Sequence, residues 1–283
     1  MVNSKLDDEH LRKVSLSISR EAAELLRELS EKGRAKERVE GRGEAIAADI
    51  ISEEHILSRL REEGFSGRVI AEESGITDMG EDDLVVIIDP LDGSKNYARS
   101  IRWCSVSIAF ADRSKNDMSS FIAGSVYPVF WDEPISFSIS KGVFIGDKRV
   151  TKEDVLSSLE KRENERYFAI YMDEEGAIEE VSKVYRIFSS IGNKLSLRSL
   201  GSAALELAYV SIGRIDAFVD ARSRLRIVDA AAGAGMVIAQ GGSVLDLNGN
   251  SPRINFDGMY KFRNLVSFLD ERFKKLFFGR GAS

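Results

Sequence analysis

The segment Val-Val-Ile-Ile-Asp-Pro-Leu-Asp-Gly-Ser-Lys-Asn-Tyr, residues 85–97, places two carboxylates three positions apart at the end of an apolar run. Pro90 fixes its own φ and turns the chain out of the strand, and Gly93 lets the backbone approach a ligand closely. Asp89 and Asp92 can therefore point at one centre, where two unpaired acids would raise each other's pKa. Because Mg²⁺ and Mn²⁺ prefer oxygen ligands, the pattern indicates a divalent metal site. The alternative is an exposed turn.

Further acids also stand at the ends of predicted elements. Glu72 and Glu73 follow an apolar stretch, Asp229 opens a helix rich in small residues, and Asp49 lies early in a predicted helix. Asp229 could equally be a helix N-cap, and Asp49 a solvated acid on a helix face. The segment 201–203, Gly-Ser-Ala, lies at a predicted helix N-terminus, where backbone amides can contact an anion or a hydroxyl.

The elements that would position these residues follow from hydrophobic periodicity and turn signals. Strands and hairpins fill the first half, which predicts an α+β half with a mainly antiparallel sheet at residues 1–152. Strands and helices then alternate, which predicts an α/β half at residues 153–283. No proline-rich linker separates the halves, so we expect them to pack together. The predicted helices are 11–29, 47–61, 174–189, 202–211, 229–240 and 270–277, and the glycine-punctuated segment 33–43 is predicted to be a mobile loop that closes over the site.

Composition narrows the function classes. The 283-residue chain has a net charge of −6, which argues against non-specific binding of nucleic acid. A single cysteine, Cys104, fits a reducing cytoplasm and a place in the core, and no apolar run is long enough for a membrane helix. His10 and His55 are the only histidines, so chemistry based on histidine or zinc is not expected. Carboxylates are the chemistry that the chain holds in quantity.

Four motifs in this order resemble the inositol monophosphatase superfamily of Mg²⁺-dependent phosphatases: Glu-Glu-Ser, Ile-Asp-Pro-Leu-Asp-Gly-Ser-Lys-Asn-Tyr, Gly-Ser-Ala-Ala and Val-Asp-Ala-Ala-Ala-Gly. The resemblance runs from Asp49 to Gly242, and the segment 218–229 is most similar to archaeal-type members, which often act on both inositol phosphates and fructose 1,6-bisphosphate. It implies a layered αβαβα sandwich, a homodimer, and a small phosphorylated sugar or cyclitol as substrate. It also implies two or three Mg²⁺ ions per site, with Mn²⁺ possible.

The resemblance also implies roles for individual residues. The implied metal ligands are Glu72, Asp89, the Leu91 carbonyl, Asp92 and Asp229. Asp49 and Ser94 match the pair that orients the attacking water, and with Glu72 they form the expected catalytic set. Gly93 and Ser94 match positions whose amides hold the phosphate, beside Asp92. The positions that line the sugar or inositol ring are Gly201, Ser202 and Ala203, and Asp220 matches an acid that contacts a substrate hydroxyl.

Three positions depart from the family pattern. Ser94 stands where many members have threonine, and Val228 stands where tryptophan often precedes the last aspartate. Ala47 replaces a threonine that is often found two residues before the first aspartate, which weakens the assignment of Asp49.

The implied reaction is an in-line attack of metal-activated water on a phosphomonoester, without a phospho-enzyme. Two alternatives remain open. One is a 3′-phosphoadenosine 5′-phosphate phosphatase, which would need an adenine pocket. The other is a non-catalytic, metal-binding regulatory protein, which would not need the full set of acids. Phosphate release from a phosphomonoester with and without Mg²⁺ distinguishes these classes.

Arginines close to the last acid raise the question of a second phosphate. Arg222, Arg224 and Arg226 occupy alternate positions, so in an extended segment their guanidinium groups would share one face. Arginine can hold a phosphate with paired donors, which only a bisphosphate would need beyond the metal site. We therefore predict a clamp from Arg222 and Arg224, with Arg198 as a further candidate, and activity on fructose 1,6-bisphosphate as well as inositol 1-phosphate. Arg226 is interpreted as a residue of a solvated loop.

Overall fold

The computed structural model describes residues 7–33, 47–161, 165–189 and 194–278. Two β-sheets alternate with three layers of helices in the order helix, sheet, helix, sheet, helix. This confirms the predicted αβαβα sandwich. None of the described helices combines the length and the apolar character that crossing a bilayer requires.

The larger sheet takes its strands from the first half of the chain, in the spatial order β2-β1-β3-β4-β5-β6-β7-β8. Neighbouring strands are antiparallel except β1 and β3, which are parallel. The strands are β1 (Arg68–Ala71), β2 (Gly75–Asp78), β3 (Leu84–Asp92), β4 (Ser105–Asp112), β5 (Phe121–Pro128), β6 (Ile135–Ser138), β7 (Gly142–Ile145) and β8 (Lys148–Val150).

The parallel pair of strands brings two of the predicted ligands together. The register of β1 and β3 pairs Ala71 with Ile88, so the next residues, Glu72 and Asp89, lie side by side toward the same end of the two strands. Every residue of β3 is buried, which explains its continuous apolar run. The pairing of β3 with β4 shifts between Asp89 and Asp92, so both acids lie at an irregular strand end.

Helices α1 (Asp8–Glu31) and α2 (Ala47–Glu62) cover one face of this sheet. The spacing of apolar residues predicted both, and the structure confirms them. The short helix α3 (Ser94–Ala98) follows β3 directly. Of the predicted mobile loop 33–43, only Gly33 is among the described residues, so its closure stays a prediction.

The second sheet has the spatial order β10-β9-β11-β15-β13 and belongs to the later half of the chain. Its strands β10, β9 and β11 are parallel and the remaining pairs are antiparallel. A separate two-stranded sheet joins β12 and β14. The strands are β9 (Glu165–Tyr171), β10 (Lys194–Arg198), β11 (Ala217–Asp220), β12 (Leu225–Arg226), β13 (Ser243–Leu245), β14 (Lys261–Phe262) and β15 (Leu265–Phe268).

The middle layer consists of α6 (Ala203–Ser211) and α7 (Ile227–Ala239), which contact both sheets. Small residues in α7 permit this close packing. A Cβ on Gly233 would lie 2.4 Å from the Leu207 Cβ in α6, and one on Gly235 would lie 2.3 Å from the Phe137 ring. The other helices are α4 (Lys152–Glu160), α5 (Ala177–Ser189) and α8 (Glu271–Phe278); α5 and α8 contact each other, and α5 also contacts β10 of the second sheet. The change of sheet falls near Lys152, while the division into two halves stays a prediction.

Candidate active site

An open cavity of about 650 Å³ lies where the ends of β1 and β3 meet the first turns of α2, α3, α6 and α7. Many of the predicted site residues line it: Asp49, Glu72, Asp92, Gly93, Ser94, Gly201, Ala203, Arg222, Arg224 and Asp229. The others, which do not line it, are Asp89, Leu91, Arg198, Ser202 and Asp220. The cavity therefore gathers residues that are up to 180 positions apart, counting from Asp49 to Asp229.

Asp89 lies at the centre of the predicted metal ligands and is 1% exposed. Burial raises the pKa of this carboxyl well above its usual range, and the charges of Glu72, Asp92 and Asp229 raise it further. Its Oδ1 accepts a hydrogen bond from the Leu91 amide at 3.0 Å. Three other predicted metal ligands thus act on the Asp89 carboxyl, as expected of acids that share a cation.

Asp92 is tied to the start of α6. Its Oδ2 accepts hydrogen bonds from Ser202 Oγ at 2.5 Å and from the Ala204 amide at 2.7 Å. Burial raises the pKa of Asp92 to about 8, although the bond from Ser202 opposes the shift. Ser202 therefore acts on a carboxylate from beneath the cavity, whereas it was predicted to line the substrate ring.

Asp229 is the third residue of α7, and its nearest cation is the side chain of Arg226. The Arg226 backbone amide donates to Asp229 Oδ2 at 2.6 Å, and guanidinium nitrogens contact Asp229 Oδ1 at 2.7 Å and Glu72 Oε1 at 2.6 Å. Burial opposes the charge on this guanidinium, but Asp229 and Glu72 outweigh it and raise the pKa of Arg226. The interpretation of Arg226 as a residue of a solvated loop is wrong.

The atoms that the predicted ligands offer are of the chemical kind that a hard divalent cation binds. They are carboxylate oxygens, and Asp89 is buried among like charges that only a cation can neutralise without protonation. Within the described ranges, however, no three acid, histidine or cysteine side chains already stand together in a geometry that could hold a metal ion. Binding a metal would therefore require small movements of these side chains.

Two side chains of α2 that were not among the predicted site residues fix this helix to the acidic ends of β1 and β3. Ser52 Oγ donates to the Pro90 carbonyl at 2.8 Å. The Glu53 carboxylate accepts from the amides of Glu73 and Ser74, each at 2.8 Å. Asp49 lies one turn before Glu53 on the same buried side of the helix and is 3% exposed. That spacing of two acids was the signal that could have identified Glu53.

The loop 199–202 is held against α3 by Asn96. Asn96 Nδ2 donates to the Trp103 carbonyl at 2.8 Å and to the Leu200 carbonyl at 2.7 Å. Gly93 and Gly201 meet here at φ of 88° and 90°, and a Cβ on Gly93 would lie 3.1 Å from the Gly201 carbonyl oxygen. Glycine at both positions therefore allows the two backbone segments of the cavity wall to approach.

Asp220 is fully buried and bound to Arg222, so its place differs from the predicted contact with a substrate hydroxyl. Arg222 contacts Asp220 Oδ2 at 2.6 Å and Asp173 Oδ1 at 3.2 Å, and its guanidinium carbon lies 4.0 Å from the centroid of the Tyr171 ring. The Tyr171 hydroxyl in turn accepts from the Gly201 amide at 3.1 Å. Asp220 thus orients Arg222 at the cavity wall.

The segment that carries the three alternate arginines is not one continuous extended strand. Ser223 has a φ of 61°, in the left-handed region, and turns the chain. Arg224 pairs with Asp173 and Glu174 at the cavity rim. The Arg198 guanidinium lies 5.0 Å from the centroid of the Tyr167 ring and outside the cavity lining. The extended conformation assumed for the clamp is therefore wrong, whereas the clamp itself stays a prediction: Arg222 and Arg224 both line the cavity and both contact Asp173.

Cys104 is a core residue, as expected. Its side chain is completely buried, and burial raises the pKa of the thiol, which leaves it a poor nucleophile. His55 lies 3.4 Å from Glu21 at the packing of α2 on α1, outside the cavity lining.

The layered fold, with buried acids at the ends of strands around an open cavity, defines a class of metal-dependent phosphatases. A family model described as the Inositol monophosphatase family matches residues 7–271, and the chain belongs to this family. It is a phosphatase that hydrolyses phosphate monoesters of small molecules, and its family is generally metal-dependent.

Curated and solved relatives span nearly the whole chain. An inositol-1-monophosphatase of Aeropyrum pernix is 39% identical over 281 residues, covering 98% of this chain and 99% of the relative. A fructose-1,6-bisphosphatase/inositol-1-monophosphatase of Archaeoglobus fulgidus is 32% identical and covers 93% and 96% of the two chains. A solved Pyrococcus horikoshii protein with similarities to inositol-1 monophosphatase superimposes with a TM-score of 0.76 at 25% identity, covering 97% and 99%.

Proposed function

We propose that this protein is a Mg²⁺-dependent phosphatase that hydrolyses inositol 1-phosphate and, as a second substrate, fructose 1,6-bisphosphate. The observation that carries the proposal is that Glu72, Asp92 and Asp229 line one cavity, with Asp89 buried at the adjoining end of β3. A site with this excess of carboxylates can accept an anionic phosphate only when cations reverse its local field.

Glu72, Asp89, Asp92, Asp229 and the Leu91 carbonyl would hold the metal. When bound, Mg²⁺ supplies an activated water and neutralises charge on the phosphate and the leaving oxygen. Asp49 and Ser94, which both line the cavity, would orient that water. The Gly93 and Ser94 amides would bind the phosphate next to Asp92, and Gly201 and Ala203, which line the cavity, would contact the ring.

The relatives and the size of the cavity support the proposed substrates. The similar Aeropyrum protein is named for inositol 1-phosphate, and the Archaeoglobus protein is named for both activities. A cavity of about 650 Å³ is ample for a phosphorylated six-membered ring or a bisphosphorylated sugar. Arg222 and Arg224 at the wall supply the cations that a second phosphate would contact.

The test is release of inorganic phosphate by the purified, metal-stripped full chain with and without Mg²⁺, on inositol 1-phosphate and fructose 1,6-bisphosphate. Asp89→Asn should lower both Mg²⁺ affinity and turnover, because one formal charge leaves a site built to hold cations. Asp147→Asn, at an exposed hairpin turn outside the cavity, is the matched control. Full activity of a folded Asp89→Asn at limiting Mg²⁺ would disprove the metal assignment.

The two alternative classes give different outcomes in the same assay. A 3′-phosphoadenosine 5′-phosphate phosphatase would release phosphate from that nucleotide faster than from either proposed substrate. A non-catalytic metal-binding protein would bind Mg²⁺ without releasing phosphate from any of them. The proposed homodimer is tested by sedimentation equilibrium, in which a mass close to 31.4 kDa would contradict it.

A further inference from the structure

The Arg226 guanidinium bridges two of the proposed metal ligands. Its Nη2 lies 2.6 Å from Glu72 Oε1 and 2.7 Å from Asp229 Oδ1. Its Nε and its backbone amide both donate to the other oxygen of Asp229, at 3.3 Å and 2.6 Å. Arg226 thus links the end of β1 to the first turn of α7 and engages both oxygens of Asp229.

A guanidinium and a divalent cation exclude each other at these oxygens. Arginine carries five N–H donors and no acceptor, and it stays protonated in proteins, so it cannot ligate a metal. Arg226 now engages Glu72 Oε1 and both oxygens of Asp229, so a metal that binds these atoms competes with the guanidinium, and its charge repels that group. The lack of a ready three-ligand geometry among the described residues agrees with this, since Arg226 holds two of the ligands toward itself.

The Arg226 side chain also has room to move away from Glu72 and Asp229. It is 31% exposed and lines the open cavity, whereas Arg222, on the same wall, is 12% exposed and packs on Tyr171. The amide of Arg226 can keep its bond to Asp229 while the guanidinium swings into the cavity. The start of α7 would therefore persist after the side chain moves.

We propose that Arg226 is a built-in counter-cation: it neutralises Glu72 and Asp229 in the metal-free protein, is displaced when a divalent cation binds, and thereby lowers the affinity of the site for that cation. This inference rests on the proposed metal site. It makes Arg226 a positioning residue that sets how much free metal the enzyme needs before the site fills.

The experiment measures Mn²⁺ binding by isothermal titration calorimetry to the metal-stripped full chain, without substrate. Arg226→Gln removes the charge and should lower the Mn²⁺ dissociation constant about tenfold, the effect of one lost charge-assisted contact in competition. Arg226→Lys, which keeps the charge without the planar fork, should fall between wild type and Arg226→Gln. Arg224→Ala removes a cation from the same cavity without touching Glu72 or Asp229 and should change the constant by less than about threefold.

The melting temperature is a second readout, and a residue with a purely structural role would not give the pattern expected here. Without metal, Arg226→Gln should melt below wild type, because Glu72 and Asp229 lose their partner. At saturating Mn²⁺ it should melt at or above wild type, so the metal-induced rise is larger in the variant.

Each outcome of these experiments either supports or overturns the proposed role of Arg226. Unchanged or weaker Mn²⁺ binding in Arg226→Gln would overturn the counter-cation and leave the metal site standing. If that variant does not fold, Arg226→Lys with wild-type or weaker affinity overturns it equally. Failure of wild type to bind Mn²⁺ at all would overturn the metal site itself, and the inference with it.

Discussion

Ser202 Oγ donates to Asp92 Oδ2 at 2.5 Å, joining the first residue before α6 to a strand end 110 positions earlier in the chain. The bond stabilises the charged form of Asp92 and lowers its pKa, against the burial that raises it. A residue of the middle helical layer therefore favours the charged form of a proposed metal ligand, while burial still raises the pKa of that ligand to about 8.

Removing the Ser202 hydroxyl should lower the stability of the protein measurably. Ser202→Ala should lower the free energy of unfolding by about 1.5–3 kcal/mol in the metal-free protein, the usual range for a hydrogen bond to a charged group. Urea denaturation at pH 8 measures it. Ser211→Ala, whose hydroxyl donates to the Ala208 carbonyl within the same helix, is the control and should lose less. Equal losses in the two variants would contradict a special role for Ser202.

Glu53 should prove to be a positioning residue for Glu72. Its carboxylate holds the amides of the two residues that follow Glu72, so Glu53→Ala should loosen the end of β1. We expect the Mg²⁺ concentration for half-maximal activity to rise about tenfold, while kcat at saturating Mg²⁺ falls less. Glu54→Ala, exposed on the same helix, should leave both unchanged. A drop in kcat alone would argue against positioning.

The proposed water-orienting pair predicts an effect on turnover. Ser94→Ala should lower kcat by about 10²–10⁴-fold with a smaller change in KM, because the hydroxyl would act mainly in the transition state. Ser199→Ala is a matched control, since Ser199 lines the same cavity. A wild-type kcat in Ser94→Ala would remove Ser94 from the mechanism.

Bisphosphate activity should depend on Arg224 more than on Arg198. Arg224 lines the cavity and pairs with acids at its rim, from which a second phosphate could take it over. Arg224→Ala should raise KM for fructose 1,6-bisphosphate about threefold to tenfold and leave KM for inositol 1-phosphate nearly constant. Arg198→Ala, outside the cavity, should change neither. Arg222→Ala is a poorer test, because it would leave Asp220 buried without its partner.

Glu206 should make stability depend on pH. Burial raises the pKa of this α6 carboxyl from 4.5 to about 7, with the Tyr171 hydroxyl and the Leu200 amide opposing the shift. Because the folded-state pKa lies above the unfolded one, the native state binds the extra proton between these values, and the free energy of unfolding falls as pH rises from about 4.5 to 7.

The Glu206 dependence can be isolated with saturating Mg²⁺, which in the proposed metal site would hold Asp89 and Asp92 in their charged form. Glu206→Gln should then flatten the decline, by roughly 3 kcal/mol across the window as an order of magnitude. Chemical denaturation at half-unit pH steps measures it. Glu179→Gln, exposed on α5, should keep the wild-type slope. Identical slopes in Glu206→Gln and wild type would refute the assignment.

The sequence alone determined the elements and the kind of chemistry. Apolar periodicity predicted α1 and α2 to within a few residues, because a helix that packs on a sheet must bury one face. Apolar runs such as residues 84–88 predicted strands, and the acids that follow them marked the strand ends where the cavity lies. These features are local, so residue type and spacing suffice to read them.

Only the tertiary structure shows which polar and charged side chains pair with each other. The bonds of Asp92 with Ser202, and of Arg226 with Glu72, join residues 110 and 154 positions apart, and no local pattern encodes such distances. Arg222 and Arg224 share Asp173 as a partner, whereas Arg226 pairs with Glu72 and Asp229. The chain turns at Ser223, which has a φ of 61°, and the sequence pattern did not predict this turn. A side chain with several donors pairs with the acids that the packing brings within reach. That packing is fixed only when both sheets close on α6 and α7.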